Sequence, residues 1–506
     1  MLVKSVRVDG GWSLANYRQL LATDRTWALL RNSLVLAAWT TGLTTAIGVP
    51  LAVLLGKSDL PGRAWLILLF SVPLLPPPYI AAVAWSNLLS THGALQRVSG
   101  TWLAEWAWNN LFGLPGCVLV LFSTLLPFFL LLTMASLRSI DPRLEEAGRI
   151  VARWPAVLKG ITLPLILPGI LLAATLVFLL SLGELGVPLF LRYNVFAVES
   201  FTEFSAFLNF GLATAAAVPL ALLTLLALGL EWLVLGEKLQ VLRPAAGHTL
   251  HVALGRLRTP VFVAVVLLCT MLVVLPLSAL LFQAGSGAAY REALGLAADS
   301  LVRSVAYAGT GACLLTAFGF LLGYLLHTRA LQIWRAADAL TLLLFATPGA
   351  VIGIGLVTLW NRPATSLIYA TPLIILLGYM AQYAALTSRA VSAALAQVPN
   401  SMEEAAEVMG AGWLRRVVWI TAPLCWRGLL AAWLVAYIFC LRDLSISMLV
   451  YPPGRDTFPV RIFTLMANSP AERIAALCVI LVAATLVPLG ALALLLRRER
   501  TRRVSY

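Results

Sequence analysis

The sequence carries little charge for its length. Of its 506 residues, 11% are Asp, Glu, Lys or Arg and 60% are hydrophobic, and the mean hydropathy is +0.91. Soluble proteins carry about a quarter charged residues, so this composition excludes an ordinary soluble domain. The apolar residues also come in runs of roughly twenty, the length that crosses about 30 Å of hydrocarbon as an α-helix. We therefore predict an all-α polytopic membrane protein.

Residues suited to metal or redox chemistry are few. The six cysteines stand singly in or beside apolar runs without a CxxC pair, and the four histidines form no ligand cluster. Isolated cysteines of this kind usually act as small buried hydrophobic side chains. We expect this chain to bind no metal and no cofactor and to catalyse no covalent chemistry.

A complete nucleotide-binding loop is also missing. Gly56-Lys57-Ser58 resembles the end of a phosphate-binding loop, but the leading glycine of that motif would occupy position 51, which is Leu51. The motif also joins a strand to a helix, whereas this stretch ends an apolar run. The sequence therefore indicates that any ATP hydrolysis takes place on another subunit.

The apolar runs predict about eleven transmembrane helices, or twelve if the prolines at positions 73 and 76–78 divide one run. The runs cover residues 34–55, 65–88, 118–137, 165–185, 212–235, 261–281, 302–326, 340–359, 368–386, 429–450 and 474–496.

The basic residues predict the orientation. Lys and Arg accumulate in cytoplasmic loops of membrane proteins. If the segment after residue 137 is cytoplasmic, 22 of the 36 basic residues fall on the cytoplasmic side, nine on the other side and five in the N-terminal segment. The net charge of +14 thus indicates membrane topology rather than nucleic-acid binding.

The N-terminal segment departs from this rule. It is polar and basic, so we expect no cleavable signal peptide, and eleven spans would place it outside the cytoplasm. Two explanations stay open. The segment lies on the outer interface through Trp12, Tyr17 and Trp27, or an upstream helix is missing from this chain.

The two halves of the chain repeat one plan. Residues of the first half recur either 271 or 259 positions later, and the pairs are Ser33 and Ser304, Gly48 and Gly319, Glu145 and Glu404, Pro164 and Pro423, and Glu184 and Asp443. The repeat implies two parallel copies that enclose a path. Because an acidic residue inside an apolar run costs roughly 2.5–3.5 kcal/mol, Glu184 and Asp443 are candidates for that path or its gate.

One repeated segment lies between the third and fourth apolar runs of each repeat. Its second copy has Glu404, Ala405, Ala406, Gly410 and Pro423, and its first copy has Glu145, Glu146, Ala147, Gly148 and Pro164. The segment resembles the EAA loop of ABC importer permeases, whose pattern is Glu-Ala-Ala, three residues, Gly, nine residues and then Ile-x-Leu-Pro. The register of the first copy stays open. Counting back from Pro164 places Val151 at the glycine position, whereas counting forward from Glu146 places Ala152 there.

The resemblance implies that these two loops dock into a separate ATPase subunit, expected as a dimer, and that a periplasmic or lipid-anchored binding protein delivers the solute. It implies a multi-pass protein of the inner membrane that imports a small solute. The segments around Glu184 and Asp443 resemble the ferric-iron group most, with thiamine, phosphonate and polyamine importers as alternatives. An ion-coupled secondary transporter is the alternative from another class.

The predicted organisation has five parts. They are an interfacial segment (1–29), a first permease repeat (30–236), a linker with an extra transmembrane helix (237–298), a second permease repeat (299–497) and a basic cytoplasmic tail (498–506).

The charge asymmetry predicts that residues 138–159, 389–416 and 497–503 are cytoplasmic. A cysteine introduced at Ser139 or Ser401 should therefore react with a membrane-impermeant thiol reagent only after the cells are permeabilised. The parent chain with its six native cysteines gives the background, and a cysteine at Arg455 is the control on the opposite side. Labelling of Ser139→Cys or Ser401→Cys in intact cells would reverse the predicted topology.

Overall fold

A computed structural model describes residues 5–8, 11–90, 101–207, 209–235, 252–329, 332–396 and 398–504. Nearly all the regular structure there is helical. The strands β1 (Arg7–Val8) and β2 (Gly11–Trp12) pair antiparallel. The chain divides into two compact units, which we call the N-terminal unit (Val6–Glu203 and Gly211–Ser286) and the C-terminal unit (Met1–Ser5, Phe204–Phe210 and Gly287–Tyr506). The predicted domain limits stay predictions, and residues 237–251 of the predicted linker lie outside the described residues.

The helices of the first half are α1 (Ala15–Leu21), α2 (Asp24–Lys57), α3 (Arg63–Ser71), α4 (Pro78–Leu89), α5 (Thr101–Leu111), α6 (Leu114–Leu137), α7 (Pro142–Val151), α8 (Trp154–Val157), α9 (Leu163–Leu182), α10 (Gly186–Phe190), α11 (Phe196–Ser205), α12 (Phe210–Leu235), α13 (Arg258–Cys269) and α14 (Leu275–Ala284). Short 3₁₀ segments cover Val72–Leu74 and Gly255–Leu257, and π-helical segments cover Leu158–Thr162 and Thr270–Val274.

The helices of the second half are α15 (Gly287–Thr328), α16 (Trp334–Ala346), α17 (Gly349–Trp360), α18 (Ser366–Tyr369), α19 (Leu373–Leu395), α20 (Asn400–Val408), α21 (Trp413–Arg416), α22 (Ala422–Leu424), α23 (Trp426–Leu441), α24 (Ser447–Val450), α25 (Phe458–Leu465) and α26 (Ala471–Val504). A 3₁₀ segment covers Pro363–Thr365 and a π-helical segment covers Val417–Thr421.

The number of membrane-spanning candidates agrees with the prediction. Seven of the described helices are long and apolar enough to cross a membrane, and the number rises to eleven if each of four bent helix pairs forms one span. The prediction of an all-α polytopic membrane protein is thus confirmed. The runs at 65–88 and 340–359 are not straight helices, however, because their helix pairs bend by 102° and 106° at prolines. Proline cannot donate the helical hydrogen bond, and its ring displaces the preceding turn.

Two predicted runs are shorter as helices than as apolar sequence. The run 165–185 ends as a helix at Leu182, and the run 429–450 breaks after Leu441 before the short helix α24 begins. Glu184 and Asp443 therefore lie in breaks directly after a helix and not within continuous spans. Gly183 and Gly186 beside Glu184, and Arg442 beside Asp443, are local signals of these breaks, but the apolar residues continue beyond each break, so the run as a whole hides it.

Each unit contains the same three-helix core. In the N-terminal unit α2, α6 and α9 pack against one another, and in the C-terminal unit α15, α19 and α23 do the same. The N-terminal unit has an additional pair, α13 and α14, which packs on α3 and α4.

The repeated serines form equivalent hydrogen bonds in the two units. The Phe196 N–H at the start of α11 donates to Ser33 Oγ over 2.9 Å, and the Phe458 N–H at the start of α25 donates to Ser304 Oγ over 2.6 Å. Both serines are buried. Because the first N–H groups of a helix have no partner within it, each serine satisfies a backbone donor inside the protein. The repeat read from the sequence thus corresponds to repeated structure.

The repeated glycines allow close approach of neighbouring helices. A Cβ atom on Gly48 would lie 2.5 Å from Phe129 Cδ1 of α6, and one on Gly319 would lie 2.6 Å from Thr387 Cβ of α19. Small residues let membrane helices approach each other's backbone closely. At Gly319 the neighbours include the Thr387 carbonyl carbon at 3.0 Å, so a side chain there would have to displace backbone.

We expect Gly319→Ala to destabilise the chain by roughly 1–3 kcal/mol, because the added methyl group overpacks the contact with α19. Gly309→Ala is the matched control. Gly309 lies on the same helix, and no atom lies within 4 Å of the position that an added methyl group would take there. The higher helix propensity of alanine should therefore raise or preserve stability in the control. The measurement is thermal unfolding of both variants in detergent. Equal melting temperatures would show that the close contact at Gly319 carries no constraint.

Candidate functional site

The first EAA-like loop, residues 141–164, begins with a capped helix. The Asp141 side chain accepts a 3.0 Å hydrogen bond from the Arg143 N–H at the start of α7. Within α7, Glu145 is completely buried, while Glu146 and Ala147 are exposed and Gly148 is half-buried against Val157 and Ile161. Of the two adjacent glutamates, only Glu146 thus presents its side chain on the surface of the loop.

Glu145 is held by two side chains from other elements. Lys57 Nζ, at the end of α2, donates to Glu145 Oε2 over 2.6 Å, and Thr162 Oγ1 donates to Glu145 Oε1 over 2.8 Å. These bonds join the end of α2, the helix α7 and the π-helical segment in one buried cluster. Sequence reasoning set Lys57 aside because the phosphate-binding motif around it is incomplete.

The second EAA-like loop, residues 399–423, has a similar helix with a different end. Glu403 of α20 is half-buried and accepts a 2.5 Å hydrogen bond from Tyr324 Oη, whereas Glu404 and Ala405 are exposed and Ala406 is half-buried. The inward acidic side chains are therefore Glu145 in the first loop and Glu403 in the second. This pairing favours the forward register, in which Glu146 corresponds to Glu404 and Ala152 stands at the glycine position.

Gly410 ends α20 in a left-handed conformation. Its φ is +81°, and the Gly410 and Ala411 N–H groups donate to the carbonyls of Glu407 and Ala406 over 2.9 and 3.0 Å. This is the Schellman arrangement, in which a residue with positive φ closes a helix. In the first loop, Ala152 is extended with φ −140°, and only Ala152 and Arg153 separate α7 from α8. The first turn is thus the shorter one.

The second part of each loop contains the same π-helical turn. The segments Leu158–Thr162 and Val417–Thr421 lie 259 residues apart, and each ends two residues before its proline, Pro164 or Pro423. A π-turn widens the helix, which gives room for a ring that would otherwise clash with the carbonyl four residues earlier. The two copies then differ. Trp154–Leu182 forms one span, whereas Trp413–Leu424 and Trp426–Leu441 meet at 78°.

Apolar side chains project from the end of the first helix in both loops. Ile150 and Val151 are each 88% exposed, and Val408 and Met409 are 87% and 86% exposed. All four lie in the short loop helices or their caps, outside the membrane-spanning candidates. We call them the loop tips. Sequence reasoning missed them, although each pair begins within three residues of the Glu-Ala segment.

Glu184 and Asp443 both bond to the short helix that follows them. The Gly186 N–H donates to Glu184 Oε1 over 3.1 Å, and the Ser447 N–H and Oγ–H donate to Asp443 Oδ2 over 2.8 and 2.7 Å. Asp443 is buried and also accepts a 3.0 Å bond from Tyr383 Oη of α19. A side-chain acceptor near a helix start stabilises it, so both carboxylates support the breaks in which they lie. Their role in a gate or path stays a prediction.

No family model matches the chain. The ferric transport system permease protein FbpB of Actinobacillus pleuropneumoniae is 24% identical over 453 residues, covering 85% of this chain and 65% of that protein. The Fe(3+)-transport system permease protein FbpB 2 of Haemophilus influenzae is 24% identical over 458 residues, covering 88% of this chain and 85% of that protein. The molybdenum transport system permease protein ModB of Escherichia coli is 29% identical over 179 residues, covering 35% of this chain and 76% of that protein.

These relatives share one broad role, because each is the permease protein of a transport system. The long matches run through both repeats, whereas the shorter one covers the length of a single repeat. The chain spans about two thirds of the length of the A. pleuropneumoniae relative and most of the length of the H. influenzae relative. The chain is therefore a multi-pass membrane protein that is similar to permease proteins of ABC transport systems, and it resembles ferric transport permeases over most of its length.

Proposed function

We propose that this chain is the permease subunit of an ATP-driven importer in the inner membrane, and that it moves ferric iron inward. The observation that carries the proposal is the exposure of the loop tips. An apolar side chain that stays in water loses about 25 cal/mol for each Å² it fails to bury. Two such pairs at equivalent loop ends therefore favour a protein partner that covers them.

The chemistry of the two loops suits an ATPase that provides matching grooves. A short helix with an apolar end, beside an exposed acidic residue, is the kind of element that docks in a hydrophobic groove with a basic neighbour. Glu146 and Glu404 are exposed acidic residues at equivalent positions in the two loops. ATP and Mg²⁺ would bind the partner, expected as a dimer, while this chain binds no cofactor.

Movement of a loop reaches the membrane helices through its second part. In the first loop the chain continues from α8 through the π-helical turn into α9 as one span. In the second loop the same path bends at Cys425 before α23 begins. A displacement of the first loop would therefore move α9 directly. A displacement of the second loop would reach α23 only through the bend at Cys425.

The names of the relatives support ferric iron as the cargo, because three long matches are named as ferric transport permeases. Other relatives that match part of the chain transport molybdenum, sulfate or 2-aminoethylphosphonate by name. A periplasmic or lipid-anchored binding protein would deliver the cargo and set most of the specificity, so thiamine, phosphonate or polyamine import stays open.

Reconstitution tests this function. The chain, its ATPase and its binding protein in liposomes should take up ⁵⁵Fe(III) only when ATP is supplied on the side of the membrane that carries the ATPase. Collapse of the proton gradient at constant ATP should leave uptake unchanged. Molybdate and thiamine serve as competing cargoes. Uptake by the chain alone, driven by an ion gradient, would replace the proposal with a secondary transporter.

The second loop should depend on the conformation of Gly410. We expect Gly410→Val to strain the turn by roughly 1–3 kcal/mol, because a β-branched residue rarely adopts a positive φ, and to weaken retention of the ATPase on the purified permease. Gly410→Asn is the matched control, since asparagine tolerates this conformation. No atom lies within 4 Å of an added Cβ at this position, so the two variants differ in backbone strain and not in crowding.

Ala152→Gly, at the position that corresponds to Gly410, should change ATPase retention much less, because Ala152 is extended with φ −140° and needs no positive φ. If Gly410→Val and Gly410→Asn retained the ATPase equally, the turn would have no part in docking. Equal losses from Glu146→Ala and Glu404→Ala would show that the two loops contribute alike.

A further inference from the structure

The buried pair of Lys57 and Glu145 has no part in the function derived so far. Lys57 is 2% exposed and Glu145 0% exposed, and their charged atoms lie 2.6 Å apart. In the ion pairs Arg25–Glu199 and Arg416–Glu407, by contrast, one partner is 66% exposed. Two charges withdrawn from water in this way are costly unless they are paired and hydrogen-bonded. Here Thr162 supplies the second hydrogen bond to the carboxylate.

The same short segment also binds the chain that leads into the extra helix pair. The Val252 N–H donates to the Lys57 carbonyl over 2.6 Å, and the Asp59 N–H donates to the Val252 carbonyl over 3.2 Å. The Asp59 carboxylate accepts a 3.0 Å bond from the Leu254 N–H. The end of α2 is thus fixed on one side to α7 by the Lys57 side chain and on the other to the start of the segment before α13 by its backbone.

The C-terminal unit has a weaker counterpart. Tyr324, near the end of α15, donates to the half-buried Glu403 and lies edge-on against Trp413 with ring centroids 6.0 Å apart. A neutral phenol replaces the ammonium group there. Both hydrogen bonds end on a carboxylate and are charge-assisted, but the phenol supplies no opposite charge. Loss of Lys57 would leave a fully buried carboxylate without its counter-charge, whereas the half-buried Glu403 keeps access to solvent, so the first loop depends more on its partner than the second.

We propose that Lys57 is a positioning residue that clamps the first EAA-like loop to the end of α2. The clamp turns the Glu145 carboxylate inward, so that Glu146 and the first loop tip form the surface offered to the ATPase. This inference rests on the proposed function for its partner, but the clamp itself is a property of the chain. The Gly56-Lys57-Ser58 segment therefore serves an ion pair and not a phosphate.

The test uses the full chain in lipid nanodiscs without its ATPase, so that docking does not cover the loop, and it measures hydrogen–deuterium exchange of residues 142–151. Lys57→Met should raise exchange there by about tenfold or more, because a buried carboxylate without its partner no longer holds the helix. Exchange of residues 400–408 in the second loop should stay at the wild-type rate. Lys57→Arg should largely preserve protection. The double variant Lys57→Glu with Glu145→Lys, which we call the exchanged pair, should restore more of the protection than either single change leaves.

The second readout is the uptake of ferric iron per ATP hydrolysed, measured with the ATPase and the binding protein in liposomes. It should fall in Lys57→Met and recover in the exchanged pair, whereas Glu146→Gln should reduce ATPase retention without altering exchange of residues 142–151. Unchanged exchange in Lys57→Met, equal loosening of both loops, or no recovery in the exchanged pair would overturn the clamp. If Lys57→Met does not fold, the comparison of Lys57→Arg with the exchanged pair decides. Wild-type uptake that needs no ATP would overturn the proposed function and leave the exchange result intact.

Discussion

A backbone N–H or C=O group in hydrocarbon has no water to bond, so every such group needs a partner within the protein. The continuous helices meet this requirement by themselves, and the breaks meet it with particular side chains. Ser33 and Ser304 accept the first N–H groups of α11 and α25, and Glu184 and Asp443 accept those of α10 and α24. The repeated polar residues of this apolar chain are therefore placed where the helical hydrogen bonding is interrupted.

The two EAA-like loops share one construction and differ in how they are held. Each has a short helix with an apolar tip, a π-helical turn before a proline and an inward acidic residue. The first is fixed by a buried ion pair, has a short turn and continues into a single span. The second is fixed by a phenol, closes with Gly410 and continues through a bend. A chain with two fused repeats is free to differentiate them in this way, because each loop is encoded separately.

Much of this architecture is visible in the sequence. Helix length and hydropathy predict the spans because crossing hydrocarbon demands about twenty apolar residues. Equal spacing predicts the repeat, as the Ser33 and Ser304 contacts confirm. The positive φ of Gly410 follows from its residue type, since glycine closes helices in this conformation. The prolines at positions 76–78 predict where the apolar run 65–88 bends. They do not predict the angle of the bend, which depends on packing against other helices.

The sequence by itself determined the membrane class, the helical fold, the repeat and the position of both loops, because these depend on composition and on spacing along the chain. Only the tertiary structure decided which glutamate of the Glu145-Glu146 pair faces inward, that Lys57 is its partner 88 residues earlier, and that Tyr383 reaches Asp443. Spacing along the chain gives no signal for such pairs. They arise from the approach of helices distant in sequence, and the high cost of an unpaired buried charge is what makes them specific.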